Sequence, residues 1–202
     1  MIKTIFKNAW NVYVPNLGIL VLSTLLMEIG YVILLKLTLI GGEFLRAFFL
    51  AGMYNVIYQN KKCEFEEIFI AFKNSEIAKN IFLYCLILII GTSIGMLLLV
   101  LPGVYFFIAT IFAIPLIVNI KMDVLDAISS SIKLFNKNFL ISIFIIFSII
   151  ILNSIAIFPY GLLSIFTVPF SICLIEKLFE AVYSSDDTVF RNVEVLDNRD
   201  EK

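Results

Sequence analysis

The sequence contains no histidine, and only 15% of its residues are charged. Histidine is the commonest general base and the commonest metal ligand, so its absence makes a zinc-protease H-E-x-x-H helix impossible. The three cysteines, Cys63, Cys85 and Cys173, form no C-x-x-C pair, and we interpret them as free thiols. The net charge of −1 gives no basic field of the kind that attracts nucleic acid.

Other catalytic patterns are missing too. The sequence has no phosphate-binding G-x-x-x-x-G-K-[ST] loop and no G-x-S-x-G nucleophile elbow. Asp123 and Asp126 fall on a predicted surface helix rather than as a pair inside a membrane span. These gaps predict a non-enzymatic protein with no metal and no cofactor.

Apolar residues are abundant: 61% of the chain is hydrophobic and the mean hydropathy is +1.02. Soluble domains are about 45–50% apolar, and apolar runs of about 18 residues or more indicate membrane spans. The sequence predicts an all-α, polytopic membrane helical bundle over residues 1–183, with six transmembrane helices in three hairpins. The predicted spans are 17–40, 43–58, 81–101, 104–120, 139–158 and 162–177. The first run is too long for a signal peptide, so we expect it to remain as a membrane helix.

An amphipathic helix is predicted before each hairpin, over residues 2–13, 64–73 and 123–135. We expect the apolar face of the first to lie on the membrane surface. Asn16, Asn80 and Asn138 mark the three entries into the membrane, with spacings of 64 and 58 residues. This regularity predicts an internal repeat, and convergence on similar membrane physics is the alternative.

Basic residues predict the orientation. Three short turns, at 41–42, 102–103 and 159–161, carry no charge, and of the 15 lysines and arginines only Lys36 and Arg46 lie towards them. Because positive residues stay on the cytoplasmic side, both termini and the amphipathic helices are predicted to be cytoplasmic, in a bacterial plasma membrane. Residues 184–202 form an acidic cytoplasmic tail.

Small residues and prolines predict details within the spans. Gly91 and Gly95 form a G-x-x-x-G spacing that allows close helix packing, although glycine is common in membrane helices. Pro115 removes a backbone hydrogen bond from the fourth span and predicts a kink there.

Charged residues in the first hairpin are the candidate functional contacts. Glu28 lies near the middle of its span and is either a contact for an ion, proton or substrate, or a packed glutamate hydrogen-bonded between helices, for example to Tyr31. Lys36, Glu43 and Arg46 flank the first turn. They form either an ion cluster at the outer interface that contacts a lipid headgroup or an anionic ligand, or side chains that simply reach towards water.

Residues 101–139 carry an ordered set of short motifs. The set comprises Leu101, Pro102, Gly103, Val104 and Tyr105, then Phe112 and Pro115, then Asp126 and Ala127, then Ser131, Leu134, Asn138 and Phe139. In this order they resemble the membrane-domain family related to glycerophosphoryl diester phosphodiesterases, which includes six-span bacterial proteins. The resemblance implies a non-catalytic membrane domain. Ser129 and Ser130 stand where that family often has arginine.

The resulting hypothesis is a non-enzymatic membrane-organising or partner-docking module, with the lipid bilayer and a cytoplasmic or membrane protein as partners and no nucleic acid. The alternatives are a permease subunit that works with a separate ATPase, or a bacteriocin-immunity-type membrane protein. A packed bundle with Glu28 hydrogen-bonded between helices favours the module. A water-filled cavity that reaches Glu28 favours the permease subunit.

Overall fold

The computed structural model describes residues 1–37, 41–59, 65–98, 100–157 and 163–184, and the predicted acidic tail lies almost entirely outside them. These residues form helices and their connections, without a strand. The helices are α1 (Ile2–Tyr13), α2 (Leu17–Leu37), α3 (Gly41–Tyr58), a 3-10 helix (Phe65–Phe69), α4 (Ile70–Lys73), α5 (Ser75–Leu98), α6 (Val100–Ala109), α7 (Ala113–Asn119), α8 (Val124–Lys137), α9 (Phe139–Ile157) and α10 (Ser164–Tyr183).

Four candidate membrane spans occur among the described residues: α2, α5, the α6–α7 pair, and α9. Each is long and apolar enough to cross a bilayer. The chain is therefore an all-helical protein of membrane type. The other two predicted spans correspond to α3 and α10, which contain more polar residues.

Burial separates these helices into an inner and an outer group. At least half of the residues in each of α3, α7 and α10 are buried, and α3 packs against α2, α5, α7 and α10. In contrast, α2, α5 and α9 expose many large apolar side chains, such as Ile29, Ile94 and Phe147. Apolar side chains can face lipid without cost, whereas polar ones need protein around them. The more polar helices accordingly lie inside the bundle.

The amphipathic segments cover the inner helices. The first, α1, packs on α10; the 3-10 helix and α4 pack on α3; and α8 packs on α7. On α1, Ile5, Ala9 and Tyr13 are buried, and the Tyr13 hydroxyl donates a hydrogen bond to the Phe166 carbonyl at 3.1 Å. The prediction that this face lies on the membrane surface is therefore wrong, because α10 occupies it.

At three connections between helices, an asparagine side chain caps a helix end. Asn16 and Asn138 each donate a side-chain hydrogen bond to the carbonyl four residues earlier, at 3.1 and 3.2 Å. At the connection between α4 and α5, the side-chain oxygen of Asn74 instead accepts hydrogen bonds from the Glu76 and Ile77 backbone N–H groups, at 3.0 and 3.2 Å. Asn80, which the sequence suggested, lies inside α5. The carboxamide caps a helix at the joint, so the joint falls where α4 ends.

Three predicted boundaries also move. Because α6 begins at Val100, Pro102 and Gly103 lie in its first turn rather than in the connection, and proline is well tolerated there. The third span begins at Ser75 within α5, six residues before the predicted start. The last helix, α10, continues past residue 177 to Tyr183, and Leu178, Phe179, Val182 and Tyr183 in this extension are buried.

The break between α6 and α7 lies next to Pro115. Proline has no N–H for the carbonyl four residues earlier, so the regular ladder fails around Ile111. Ser131 of α8 repairs the gap: its Oγ accepts a hydrogen bond from the Phe112 N–H at 3.1 Å and donates one to the Ala109 carbonyl at 2.8 Å. The predicted kink at Pro115 is thus held by a side chain from another helix.

Replacing Ser131 by alanine should lower the free energy of unfolding by about 1–3 kcal/mol, because two buried backbone groups lose their partner. Unfolding of the detergent-solubilised protein, followed by circular dichroism, measures the effect. The control is Ser129→Ala, since Ser129 is exposed on the same helix. Equal stability of the two variants would show that the Ser131 bridge contributes nothing.

Candidate functional site

Glu28 of α2 and Arg46 of α3 face each other across the first hairpin. The Arg46 Nη2 atom lies 3.0 Å from one carboxylate oxygen of Glu28 and 3.2 Å from the other, so it donates to both. The two side chains are partly buried, with 40% and 32% of their surfaces exposed in the isolated chain. The pair joins α2, a candidate membrane span, to α3, and an unpaired charge within a membrane span would be costly.

Tyr31 and Glu43 complete this cluster. The Arg46 guanidinium lies over the Tyr31 ring, 3.5 Å from its centroid, which is a favourable cation–π geometry. Its Nη1 atom lies 3.7 Å from Glu43, one turn earlier on α3. Tyr31 therefore supports the arginine, whereas the sequence suggested that it bonds Glu28. The ring also packs against Gly42, where a larger residue would collide with it.

The structure joins two candidate sites that the sequence predicted as separate. One prediction was Glu28 alone near the middle of its span, and the other was an outer cluster of Lys36, Glu43 and Arg46. Arg46 connects them, and the side chain of Lys36 lies outside the described part of the structure. A contact between residues 18 positions apart on two helices leaves no spacing signal in the sequence, so periodicity could not reveal it.

A second polar cluster lies where α10 meets α7. Glu176 is completely buried, and Asn119 at the end of α7 donates a hydrogen bond to its Oε1 atom at 2.8 Å. Lys177, which is 4% exposed, contacts Glu180 at 2.5 Å. Tyr54 of α3 is buried close by and interacts electrostatically with Glu176.

This cluster was not predicted from the sequence, because the last predicted span ends at residue 177, directly after these two charged residues. The sequence does contain one indication that Glu176 and Lys177 are buried. The apolar pattern resumes at Leu178 and Phe179 and continues to Val182 and Tyr183, all of which are buried. An apolar run on both sides of two charges indicates a helix that stays inside the protein.

The glycines of the predicted packing motif lie where α5 meets α6. Gly91 faces the Phe106 ring, and a Cβ placed on Gly95 would stand 2.7 Å from the Gly103 Cα atom. Gly103 in turn faces Met96 and the Thr92 carbonyl. Only glycine allows the two backbones to approach this closely.

The remaining residues of the 101–139 motif lie at joints and contacts. Pro115 is buried beyond the helix break, Ala127 is buried, and Ser131 bridges the break. Asn138 joins α8 to α9, and Asp126 is exposed near the start of α8. The motif residues thus include those that position α6, α7 and α8 relative to one another.

No protein-family model, curated protein or solved structure matches this chain. Among the described residues, no three histidine, cysteine, aspartate or glutamate side chains lie together in a group able to hold a metal ion. The chemistry of the site therefore has to be judged from its own charges and hydrogen bonds.

A double-mutant cycle on Glu28→Gln and Arg46→Leu should show a coupling of about 1–2 kcal/mol, because each single variant leaves one charge unpaired in the membrane. Thermal and denaturant unfolding in lipid nanodiscs measure it. Glu43→Gln is the matched control, since its contact with Arg46 is longer, and its coupling with Arg46→Leu should be smaller. Additive effects of Glu28→Gln and Arg46→Leu would contradict the proposed pairing.

Proposed function

We propose that this chain is a non-enzymatic integral membrane protein that organises the membrane or docks a partner at its cytoplasmic surface. The observation that carries the proposal is the engagement of Glu28 by Arg46 between α2 and α3. A carboxylate that serves transport must exchange partners with an ion or substrate. Glu28 instead has both oxygens bonded to a fixed arginine, which suits a packing role.

Six spans and a threefold internal repeat are part of the proposal. Three facts support the repeat: the recurring asparagine joints, the three amphipathic segments, and their packing on the closing helices of other hairpins. The joints at Asn16, Asn74 and Asn138 are separated by 58 and 64 residues. In this arrangement α3 and α10 cross the bilayer inside a sheath formed by the more apolar helices.

Exposed lysines support the proposed role of the cytoplasmic surface in membrane organisation or partner docking. The amphipathic segments and their flanks carry exposed Lys3, Lys7, Lys73, Lys79, Lys121, Lys133 and Lys137. Six spans with cytoplasmic termini would place all seven at the inner leaflet, where anionic headgroups attract them. The resemblance to the phosphodiesterase-linked membrane domains implies the same non-catalytic role, and its motif residues are structural in this chain.

A permease subunit that works with a separate ATPase is the second candidate. The observation that favours it is the buried Glu176–Asn119 pair, since buried ionisable groups within membrane proteins often mark transport pathways.

Cysteine labelling tests the choice between these functions. In a background without Cys63, Cys85 and Cys173, a cysteine at position 28 should stay unlabelled by a membrane-impermeant thiol reagent from either side. Thr24→Cys tests the same buried face of α2 one turn earlier and leaves the Glu28–Arg46 pair intact. Leu101→Cys is the positive control, because the proposed six-span arrangement places the start of α6 at the outer membrane surface, where the reagent can reach it.

Labelling of Thr24→Cys in correctly inserted protein would mean that water reaches this face, and the transport function would then replace the module. Labelling at position 28 alone would show only that loss of the Arg46 partner opened the hairpin.

A further inference from the structure

Glu176 is a fully buried carboxyl group with only one of its two oxygens hydrogen-bonded. Its Oε1 atom accepts a hydrogen bond from Asn119 at 2.8 Å, while its Oε2 atom is buried and has no hydrogen-bond partner among the described residues. The same holds for the Asn119 Oδ1 atom. Buried polar atoms normally have a hydrogen-bond partner. Two buried oxygens without a partner, on two side chains that are hydrogen-bonded to each other, indicate that the pair binds a further group.

A count of donors and acceptors shows what is missing. An ionised Glu176 provides only acceptors, and Asn119 provides one acceptor oxygen and an NH2 group with two N–H donors. One N–H serves Oε1, and neither reaches Oε2. The two oxygens left over, Oε2 of Glu176 and Oδ1 of Asn119, are both acceptors, so a donor is missing between them. A hydrogen atom on Oε2 would supply one and would also remove the buried charge.

The charges along α10 do not neutralise Glu176. Lys177, the next residue, contacts Glu180 at 2.5 Å, so its charge is balanced by another carboxylate. These three residues together carry a formal charge of −1. Cys173, one turn earlier, is buried and provides no positive charge.

Among the described residues, the neighbouring helices bring no further cation to Glu176. Tyr54 of α3 is a buried, uncharged neighbour, and Asn119 of α7 is hydrogen-bonded to Glu176. The sequence of α9 contains no ionisable residue, and both lysines of α1 are exposed. On α2, Glu28 is bonded to Arg46. A lone ionised carboxylate in such surroundings is so costly that the group normally takes up a proton instead.

We infer that Glu176 and Asn119 form a proton-binding site at the junction of α3, α7 and α10, in which Glu176 is a neutral acid at pH 7. The bound proton allows α10 to pack against α7 without a buried charge. Loss of the proton leaves an anion there and weakens this contact. A metal cation is disfavoured, because hard cations take about six or more oxygen ligands and this pair offers two free oxygens.

Infrared spectroscopy of the full-length protein in lipid nanodiscs tests the site directly. At pH 7 an ordinary glutamate, with a pKa of about 4.3, is ionised. We expect instead one protonated carboxylic C=O band per chain, which Glu176→Gln removes and Glu66→Gln leaves in place. The control is matched, because Glu66 is an exposed glutamate paired with Lys73 at 2.8 Å.

A second variant identifies the band even if Glu176→Gln does not fold. Asn119→Leu removes the hydrogen bond to the carboxyl Oε1 atom, so the C=O band should shift to higher wavenumber. Absence of a protonated band at pH 7 in the wild-type protein would overturn the proposal. Loss of the band on addition of sodium or potassium chloride would also overturn it, since the site would then hold a metal cation.

Discussion

A bilayer offers no water to a polar group, and this constraint determines where each charged side chain of the protein can lie. Apolar α2, α5 and α9 accept contact with lipid, as their many exposed isoleucines, leucines and phenylalanines show. The more polar α3 and α10 are surrounded by other helices. Among the described residues, two inward-facing carboxyl groups are accommodated in different ways. Arg46 forms an ion pair with Glu28 between two helices, whereas Glu176 is fully buried within the protein.

The amphipathic segments follow from the same constraint. Each carries one apolar face, and each finds an inner helix to cover rather than a lipid surface: α10 for α1, α3 for α4, and α7 for α8. Each segment precedes one pair of helices and packs on a helix of another pair, so these contacts link parts of the bundle that are distant along the chain. Ser131 shows the local benefit, because it bonds the Phe112 N–H and the Ala109 carbonyl, which the break between α6 and α7 leaves open. The stability of the bundle therefore depends on these contacts between distant helices.

Much of the fold could be predicted from composition and periodicity, because long apolar runs and a 3.6-residue pattern are strong signals. The bounds of α1 and the start of α9 are examples. The joint at Asn74 was missed because an asparagine inside α5, Asn80, fitted the spacing equally well. Contacts between helices have no such signal: neither the Glu28–Arg46 pair nor the Asn119–Glu176 pair shares a helix. Glu176 was not predicted as a site residue, because its burial depends on α7 and α3, which the pattern of a single helix does not include.

The central claim is that polar α3 and α10 cross the membrane inside a sheath of apolar helices, and topology mapping tests it most directly. The variants Lys7→Cys, Lys73→Cys and Lys133→Cys, all at exposed positions, can be labelled from each side of sealed vesicles, and Leu101→Cys marks the opposite side. Six spans predict that the cysteines at positions 7, 73 and 133 are labelled from one side and the cysteine at position 101 from the other. If only the four most apolar candidates cross, Lys73 and Lys133 will label from the side opposite to Lys7, and the account would be contradicted.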